Sequence, residues 1–342
     1  MKGCLIKDIK DNQNIEGLFM IREAVRGETK AGSPFLSLTL LDASGEISGR
    51  VWDNADRYLP HCKAGAIINL RGQSQSYKGV VQLRVDYLEK AEVAAEEMAL
   101  FIPSAPGDLK EMLAELTRLA KSIANPPLRD LALAFLNDRR LTGLFKKAPA
   151  AKYMHHAYLG GLLEHTLGVA RLAEAVAALY PAIDRSLLLV GAITHDLGKL
   201  IEFDYENYPY DYSDRGRLVG HTVLGVELLR KLADGIDDFP EETLTRLQHL
   251  VLSHHGEHAF GAPALPMMLE AFVLHFLDNL DSKVNYIAGL GRRREEPGYH
   301  WSEFQRNLER FLYVRNPDID RSAEFDANGK EIDHRQGILW KA

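Results

Sequence analysis

Three observations predict a two-domain chain of mixed class, with a small antiparallel β-barrel at the N-terminus and an all-α domain after it. The first ~92 residues alternate β-branched and aromatic residues in five short runs. From Asp108 to about Arg310 the apolar residues recur at helical spacing. Ten of the 13 histidines fall between His155 and His275, inside the helical part.

The five β-runs are IEGLFMIREAVRGET, SPFLSLTLLDAS, GEISGRVWD, AIINLRGQSQSY and GVVQLRVDYLEK, separated by Gly, Asp, Ser and Asn turns. The segment DNADRYLPHCKAG between the third and fourth reads as a short helix or loop. Five strands with that insert suggest a five-stranded Greek-key barrel of the OB type over residues 1–92. Alanine, glutamate and then Pro103, Pro106 and Gly107 mark a linker at 93–107.

The helical domain is expected over 108–310. Asp108 is placed as the N-cap of its first helix. DLKEMLAELTRLAKSIA, LGGLLEHTLGVARLAEAVAALY, SLLLVGAITHDLGKL, HTVLGVELLRKLA, EETLTRLQHLVLSHH and LEAFVLHFLDNLDSKVNYIAGL carry the clearest helical patterns, and IEFDYENYPYDYSDRGRLVG reads as a loop. Residues 311–342 are expected to be an irregular C-terminal extension.

Composition narrows the class. With 46% hydrophobic and 26% charged residues the chain reads as an ordinary globular protein. No run approaches the ~18 apolar residues that span a bilayer, so no membrane partner is expected. The N-terminus has no apolar h-region, and Cys4 and Cys62 make no disulfide framework, so a cytoplasmic location is expected. The net charge of −7 argues against a generally basic coat.

The histidines carry the chemistry. His195 and Asp196 adjoin near the end of an apolar helix, where an unpartnered Asp would be costly. His165 lies on an apolar helix upstream, and Asp278 on one downstream. Together they offer two nitrogens and two oxygens, which suits a divalent ion such as Mn, Co, Fe, Ni or Mg better than a structural zinc. His221 opens a helix and His254–His255 end one. They offer a second ion site with Asp196 bridging the two, or else a helix cap and a loop lining.

Around these, Lys199 reads either as a cation for a scissile phosphate or as partner to a ligand carboxylate. His156 reads as a group near the substrate that protonates a leaving oxygen, or as a structural histidine. Asp281 shares a helix face with Asp278 and is placed to orient a ligand histidine. Glu164 is expected to point away from His165. In the barrel, Phe19, Arg22, Phe35, Trp52, Arg71, Tyr77 and Lys78 are weighed as contacts for a single strand, with Arg22, Phe35, Arg71, Tyr77 and Lys78 retained and Trp52 read as core. The Arg292–Arg293–Arg294 run is a further basic cluster.

The order His165, His195-Asp196, Asp278 resembles the HD phosphohydrolase superfamily. The fuller series HHAYLGGLLEHT, HDLGK, GHT, SHHG and DNLDSK resembles the YhaM-type 3′–5′ exoribonucleases, in which an OB-fold precedes an HD domain. The resemblance covers roughly residues 10–310. It implies that His165, His195, Asp196 and Asp278 bind one ion and that His221 with one or both of His254 and His255 completes a second site; manganese is the metal expected first. It also implies the direction of attack: hydrolysis of single-stranded RNA, or DNA, from the 3′ end to nucleoside 5′-monophosphates by metal-activated water. The doubled histidine also occurs in HD-GYP phosphodiesterases, but the GYP signature is missing here. A nucleotidase or cyclic-nucleotide phosphodiesterase with a regulatory barrel, and a non-catalytic nucleic-acid-binding factor, remain the alternatives. The oligomeric state stays open, a homo-oligomer included.

Overall fold

Five strands close the N-terminal barrel in the order β1-β2-β3-β5-β4. They are β1 (Asn14–Glu28), β2 (Pro34–Asp42), β3 (Gly45–Val51), β4 (Ile67–Tyr77) and β5 (Val80–Ala91). A short helix, α1 (Ala55–Tyr58), sits between β3 and β4 where the insert was expected. The structure is a computed structural model that describes residues 3–29, 31–77, 79–94, 97, 100–151, 156–205, 210–292, 294 and 297–317.

Closure comes from the parallel pairing of β3 with β5, Ser48 to Gln82 through Arg50 to Arg84, among otherwise antiparallel neighbours. A closed barrel leaves no edge for stray pairing. Alternate residues turn inward, so Phe19, Ile21, Leu38, Leu40, Ile68, Leu70 and Leu83 fill the interior. Phe19 is therefore core and unavailable for stacking on a base. Trp52 departs from the expectation of a core residue. It is about half exposed and packs its ring against Phe35 at 5.2 Å, because it lies just beyond the end of β3, where the inward alternation stops.

The linker binds both halves. Phe101 is buried with Met20, Leu41 and Ile67 on the barrel's outer surface. Ser104 bridges to Leu159, with Leu159 N donating to Pro103 O and Ala105 N to Leu159 O.

The helical domain runs through α2 (Leu109–Lys121), α3 (Pro126–Asn137), α4 (Arg139–Phe145), α5 (Gly161–Leu179), α6 (Arg185–Thr194), α7 (Lys199–Glu202), α8 (Asp214–Val219), α9 (His221–Ala233), α10 (Glu241–Ser253) and α11 (Leu269–Arg292). Asp108 caps α2 by accepting from Lys110 N at 2.7 Å. The apolar faces of α5, α6, α9, α10 and α11 share one core. α6 is buried almost all round, as a helix apolar on every side must be. Within the loop expected after α7, β6 (Phe203–Asp204) pairs with β7 (Asp211–Tyr212).

Helix does not extend to Arg310. α11 ends at Arg292, and β8 (Tyr299–Trp301) pairs with β9 (Tyr313–Arg315) as a hairpin. The expected boundary at 310/311 cuts this hairpin in two, since its strands pair across it. At three residues each, β8 and β9 carry too little alternation to show as strands in the sequence. Pro317 is the last residue described, and the rest of the expected extension lies outside the described residues.

Candidate metal centre

Three helices and two helix-ending turns bring their side chains together around Asp196. His165 lies in the first turns of α5. His195 and Asp196 follow the last turn of α6, His221 begins α9, His254 and His255 follow α10, and Asp278 lies mid-α11. His165, His195, Asp196 and His254 are buried.

The donor atoms fall into two groups. In one, His165 Nε2 lies 3.2 Å from His195 Nε2, 3.1 Å from Asp278 Oδ1 and 3.7 Å from Asp196 Oδ2. His195 Nε2 lies 3.5 Å from Asp196 Oδ2 and 4.0 Å from Asp278 Oδ1. In the other, His221, His254 and His255 gather donor atoms within 4.8 Å of one another. Asp196 stands between them. Its Oδ2 faces the first group, while Oδ1 lies 3.7 Å from His221 Nε2 and 3.6 Å from His254 Nε2.

This arrangement fits divalent ions. Donors held ~2.0–2.2 Å from one ion sit ~3 Å apart when adjacent and ~4.2 Å apart when opposite, the range seen around His165. Asp196 Oδ1 is buried and has no hydrogen-bond partner among the described residues. A buried carboxylate oxygen left so is costly unless a cation satisfies it.

The imidazoles are oriented from behind. His165 Nδ1 donates to Asp281 Oδ2 at 2.7 Å, His195 Nδ1 to Ala192 O at 2.9 Å, and His254 Nδ1 to Val251 O at 2.7 Å. His221 Nδ1 donates to Glu202 Oε1 at 3.1 Å, and His221 N donates to the same oxygen at 3.1 Å. Each of these four rings thereby commits one nitrogen and turns Nε2 toward Asp196.

Two glycines permit the convergence. A Cβ on Gly168 of α5 would lie 2.3 Å from Asp281 Oδ1. A Cβ on Gly198 would lie 1.8 Å from His221 O, so only glycine lets α9 approach the turn after Asp196.

The charges are interlocked. Burial opposes ionisation of Asp196, but Lys199, His195, His221 and His254 hold its carboxyl well below the usual range. Burial likewise opposes charge on Asp278, and the hydrogen bond from His165 outweighs it, holding that carboxyl down. Burial also disfavours charge on His165, yet Asp278 and Asp281 raise it to about 9. Burial and its histidine neighbours push His254 well down, and burial with His221 brings His255 down to about 4.

Lys199 Nζ donates to Asp196 Oδ2 at 2.7 Å, so the carboxylate-partner role is the one its geometry displays. His156 is buried at a positive φ of 46°, with Nδ1 3.0 Å from Glu164 Oε2 and 3.1 Å from Tyr158 Oη, and Nε2 3.1 Å from Asp281 Oδ2. Both ring nitrogens are engaged, so of the two roles weighed for His156 its geometry displays the structural one, as a brace for Asp281. Glu164 braces His156 in turn and accepts from Tyr158 Oη at 2.5 Å.

Sequence reasoning missed Glu202, Tyr158 and Asn285. Glu202 is a buried carboxylate in the apolar run KLIEF, a mismatch that could have flagged it. Asn285 Oδ1 accepts from His156 N at 3.0 Å, a contact across 129 positions with no local signal.

The barrel candidates scatter. Arg22 pairs with Glu46, and both line a cleft of about 660 Å³ between barrel and helical domain, with Tyr77 and Arg50. His156, Tyr158, Asn285 and Arg294 form its other wall. Phe35 sits with Trp52, and Arg71 pairs with Glu16 at 2.9 Å and lies over Tyr87, so the fold does not bring these two to the cleft. Lys78 and Arg293 lie outside the described residues.

Residues 162–283 match the model of the HD domain, and residues 16–91 match that of an OB-fold nucleic acid binding domain. Among solved structures, the chain is similar to the second OB-fold domain of replication protein A from Methanococcus maripaludis (21% identity over 27% of this chain and 96% of that one, TM-score 0.23). It is also similar to the protein PriB from Ralstonia solanacearum (16% identity, 24% and 100%, TM-score 0.20). A third match is a replication protein A heterotrimer bound to ssDNA (14% identity, 28% and 69%, TM-score 0.21). Among the described residues no helix is long and apolar enough to cross a membrane.

Proposed function

We propose that this chain, which joins an OB-fold nucleic acid binding domain to an HD domain, is a metal-dependent 3′–5′ exonuclease that shortens single-stranded RNA to nucleoside 5′-monophosphates. The observation that carries the reading is the position of Asp196, a buried carboxylate shared between two histidine groups with one oxygen lacking any hydrogen-bond partner among the described residues. His165, His195, Asp196 and Asp278 would hold one divalent ion, and His221, His254, His255 and Asp196 a second. When bound, such ions activate a water and neutralise a phosphate oxygen in one in-line displacement. Nitrogen and oxygen donors without thiolate suit manganese, iron, cobalt, nickel or magnesium, of which manganese is the ion proposed.

The chain's own groups do the rest. Asp281, Ala192 O, Val251 O and Glu202 fix the imidazoles so that no reorientation is needed during reaction. Lys199 keeps Asp196 ionised. The barrel holds the strand and raises its concentration at the centre.

The test is a 5′-labelled single-stranded RNA 20-mer, and the matching DNA, incubated with and without manganese. A descending ladder with release of 5′-monophosphates is expected, dependent on the metal and absent in Asp196→Ala. Cleavage of mononucleotides alone would replace this reading with a nucleotidase, and of cyclic nucleotides alone with a cyclic-nucleotide phosphodiesterase. Undiminished RNA degradation by Asp196→Ala would end the metal mechanism.

A further inference from the structure

The hairpin of β8 and β9 spends its aromatic residues on solvent. Strand alternation turns Val314 inward, where it is buried, and turns Tyr299, Trp301, Tyr313 and Arg315 outward. Register places Tyr299 opposite Arg315 and Trp301 opposite Tyr313. The rings of Tyr299 and Tyr313 stack at 5.2 Å with 26° between planes, and Trp301 meets Tyr313 at 5.0 Å. Arg315 lies 5.8 Å from the Tyr299 ring.

Cross-strand aromatic pairs stabilise a hairpin, which accounts for the contacts between the rings. It does not account for what remains uncovered. Tyr299 is 54% exposed, Trp301 66% and Tyr313 57%. At 150–250 Å² per aromatic side chain, this is a contiguous patch of roughly 300 Å², the size at which an exposed apolar surface has a use.

The hairpin is firmly seated. Asn316, buried beneath it, donates from Nδ2 to Arg294 O at 2.7 Å and to Arg292 O at 3.3 Å. Arg294 donates from Nη2 to Trp301 O at 2.7 Å. A Cβ on Gly291 would lie 2.0 Å from Arg315 O, so β9 packs directly on the end of α11. A rigid aromatic face loses little freedom when something lands on it.

Its place in the molecule identifies the occupant. Ser302 and Glu303, which follow Trp301, line the cleft between barrel and helical domain together with Arg22, Arg50 and Tyr77. Arg294 spans the gap, with its guanidinium 2.9 Å from where a Cβ on Gly79 would sit, at the tip of the β4–β5 hairpin. The platform is therefore continuous with the barrel surface, and arginines accompany its rings.

We infer that Tyr299, Trp301 and Tyr313 form a base-stacking platform for single-stranded nucleic acid at the mouth of the interdomain cleft, with Arg294 and Arg315 meeting its backbone. The inference rests on the proposed function. Stacking on aromatic faces with nearby cations is the physical basis of sequence-tolerant single-strand binding. It assigns to the segment after the HD domain a share of the strand binding expected of the barrel alone.

The experiment uses the full-length, metal-loaded protein and a fluorescein-labelled 12-nucleotide RNA whose 3′ linkages are phosphorothioates. Binding is followed by anisotropy across a salt series. Trp301→Ala and Tyr313→Ala are each expected to weaken binding roughly tenfold, the size of one lost base–aromatic stack, without changing the salt slope. Arg315→Gln is expected to lower that slope. Trp301→Phe should restore most of the affinity, which a loss of folding would not allow. In a Trp52→Phe, Trp340→Phe background, the emission of the one remaining tryptophan should be quenched by the strand. Affinity within twofold of wild type for both alanine variants overturns the platform while leaving the nuclease reading intact. If those variants instead change the mass of the protein in solution, the face is a protein interface and the platform is likewise overturned. Wild-type protein that binds no single strand overturns both readings together.

Discussion

Asp281 accepts a hydrogen bond from His165 Nδ1 at 2.7 Å and so turns the opposite nitrogen of that ring toward His195, Asp196 and Asp278. It reaches His156 Nε2 with the same oxygen, at 3.1 Å. Asp281→Asn keeps the shape but can no longer accept as an anion. Ion affinity is expected to fall ~10–100-fold, with kcat reduced and KM nearly unchanged at saturating metal. Metal titration by calorimetry checks the first and steady-state kinetics the second. An unchanged ion affinity would remove Asp281 from the role of positioning residue.

Lys199 and Asp196 form a buried ion pair at 2.7 Å. Lys199→Met leaves a buried carboxylate without its cation, which costs about 3–5 kcal/mol where nothing replaces it. Bound ions would replace it. The variant is therefore expected to lower the melting temperature of the metal-free protein strongly and that of the metal-loaded protein much less. Equal losses in both states would show that Asp196 does not face an ion.

His165 carries the pH dependence. Its folded value of about 9 lies above the ordinary 6.5 because Asp278 and Asp281 overcome its burial. A proton on His165 therefore stabilises the metal-free fold fully below ~6.5, and that stabilisation is lost as pH rises through about 9. Ion binding must displace the same proton. Ion affinity is expected to rise about tenfold per pH unit from neutrality until about 9. Calorimetry at pH 7.5 in buffers of different ionisation heat should show close to one proton released per chain, and almost none at pH 10.

Gly168 offers a test by packing. Replacing a mid-helix glycine with alanine ordinarily stabilises a helix by ~1 kcal/mol. Here the added Cβ would lie 2.3 Å from Asp281 Oδ1, so either the Asp281 carboxylate turns away from His165 or α5 and α11 part. Gly168→Ala is expected to weaken ion binding at least tenfold despite the helical preference. Unchanged metal content by mass spectrometry would show that the methyl group is accommodated without disturbing the hold of Asp281 on His165.

The barrel and the helical bundle were legible because both rest on local periodicity. Alternation marked β1 to β5 one by one, and the apolar runs of α5, α6 and α11 announced buried helices. The candidate metal centre was legible for a related reason: His165 and Asp278 are polar residues inside apolar helices and Asp196 directly follows one, where a buried side chain without a partner would be expensive. The hairpin at 299–315 was missed because three-residue strands carry too little alternation to register against a helical neighbourhood. The two roles of His156 could not be separated in sequence because two of its partners, Asp281 and Asn285, stand more than a hundred positions away.

Sequence by itself determined the residue types, their order and the elements that carry them, since propensity and periodicity act over a few positions. Which nitrogen each histidine presents, which oxygen of Asp196 serves which group, and which of the barrel's aromatic and basic residues meet the helical domain were decided only in the folded molecule. Those choices depend on distances between helices that are remote in the chain, set by packing at Gly168 and Gly198 and by hydrogen bonds such as that from His221 to Glu202.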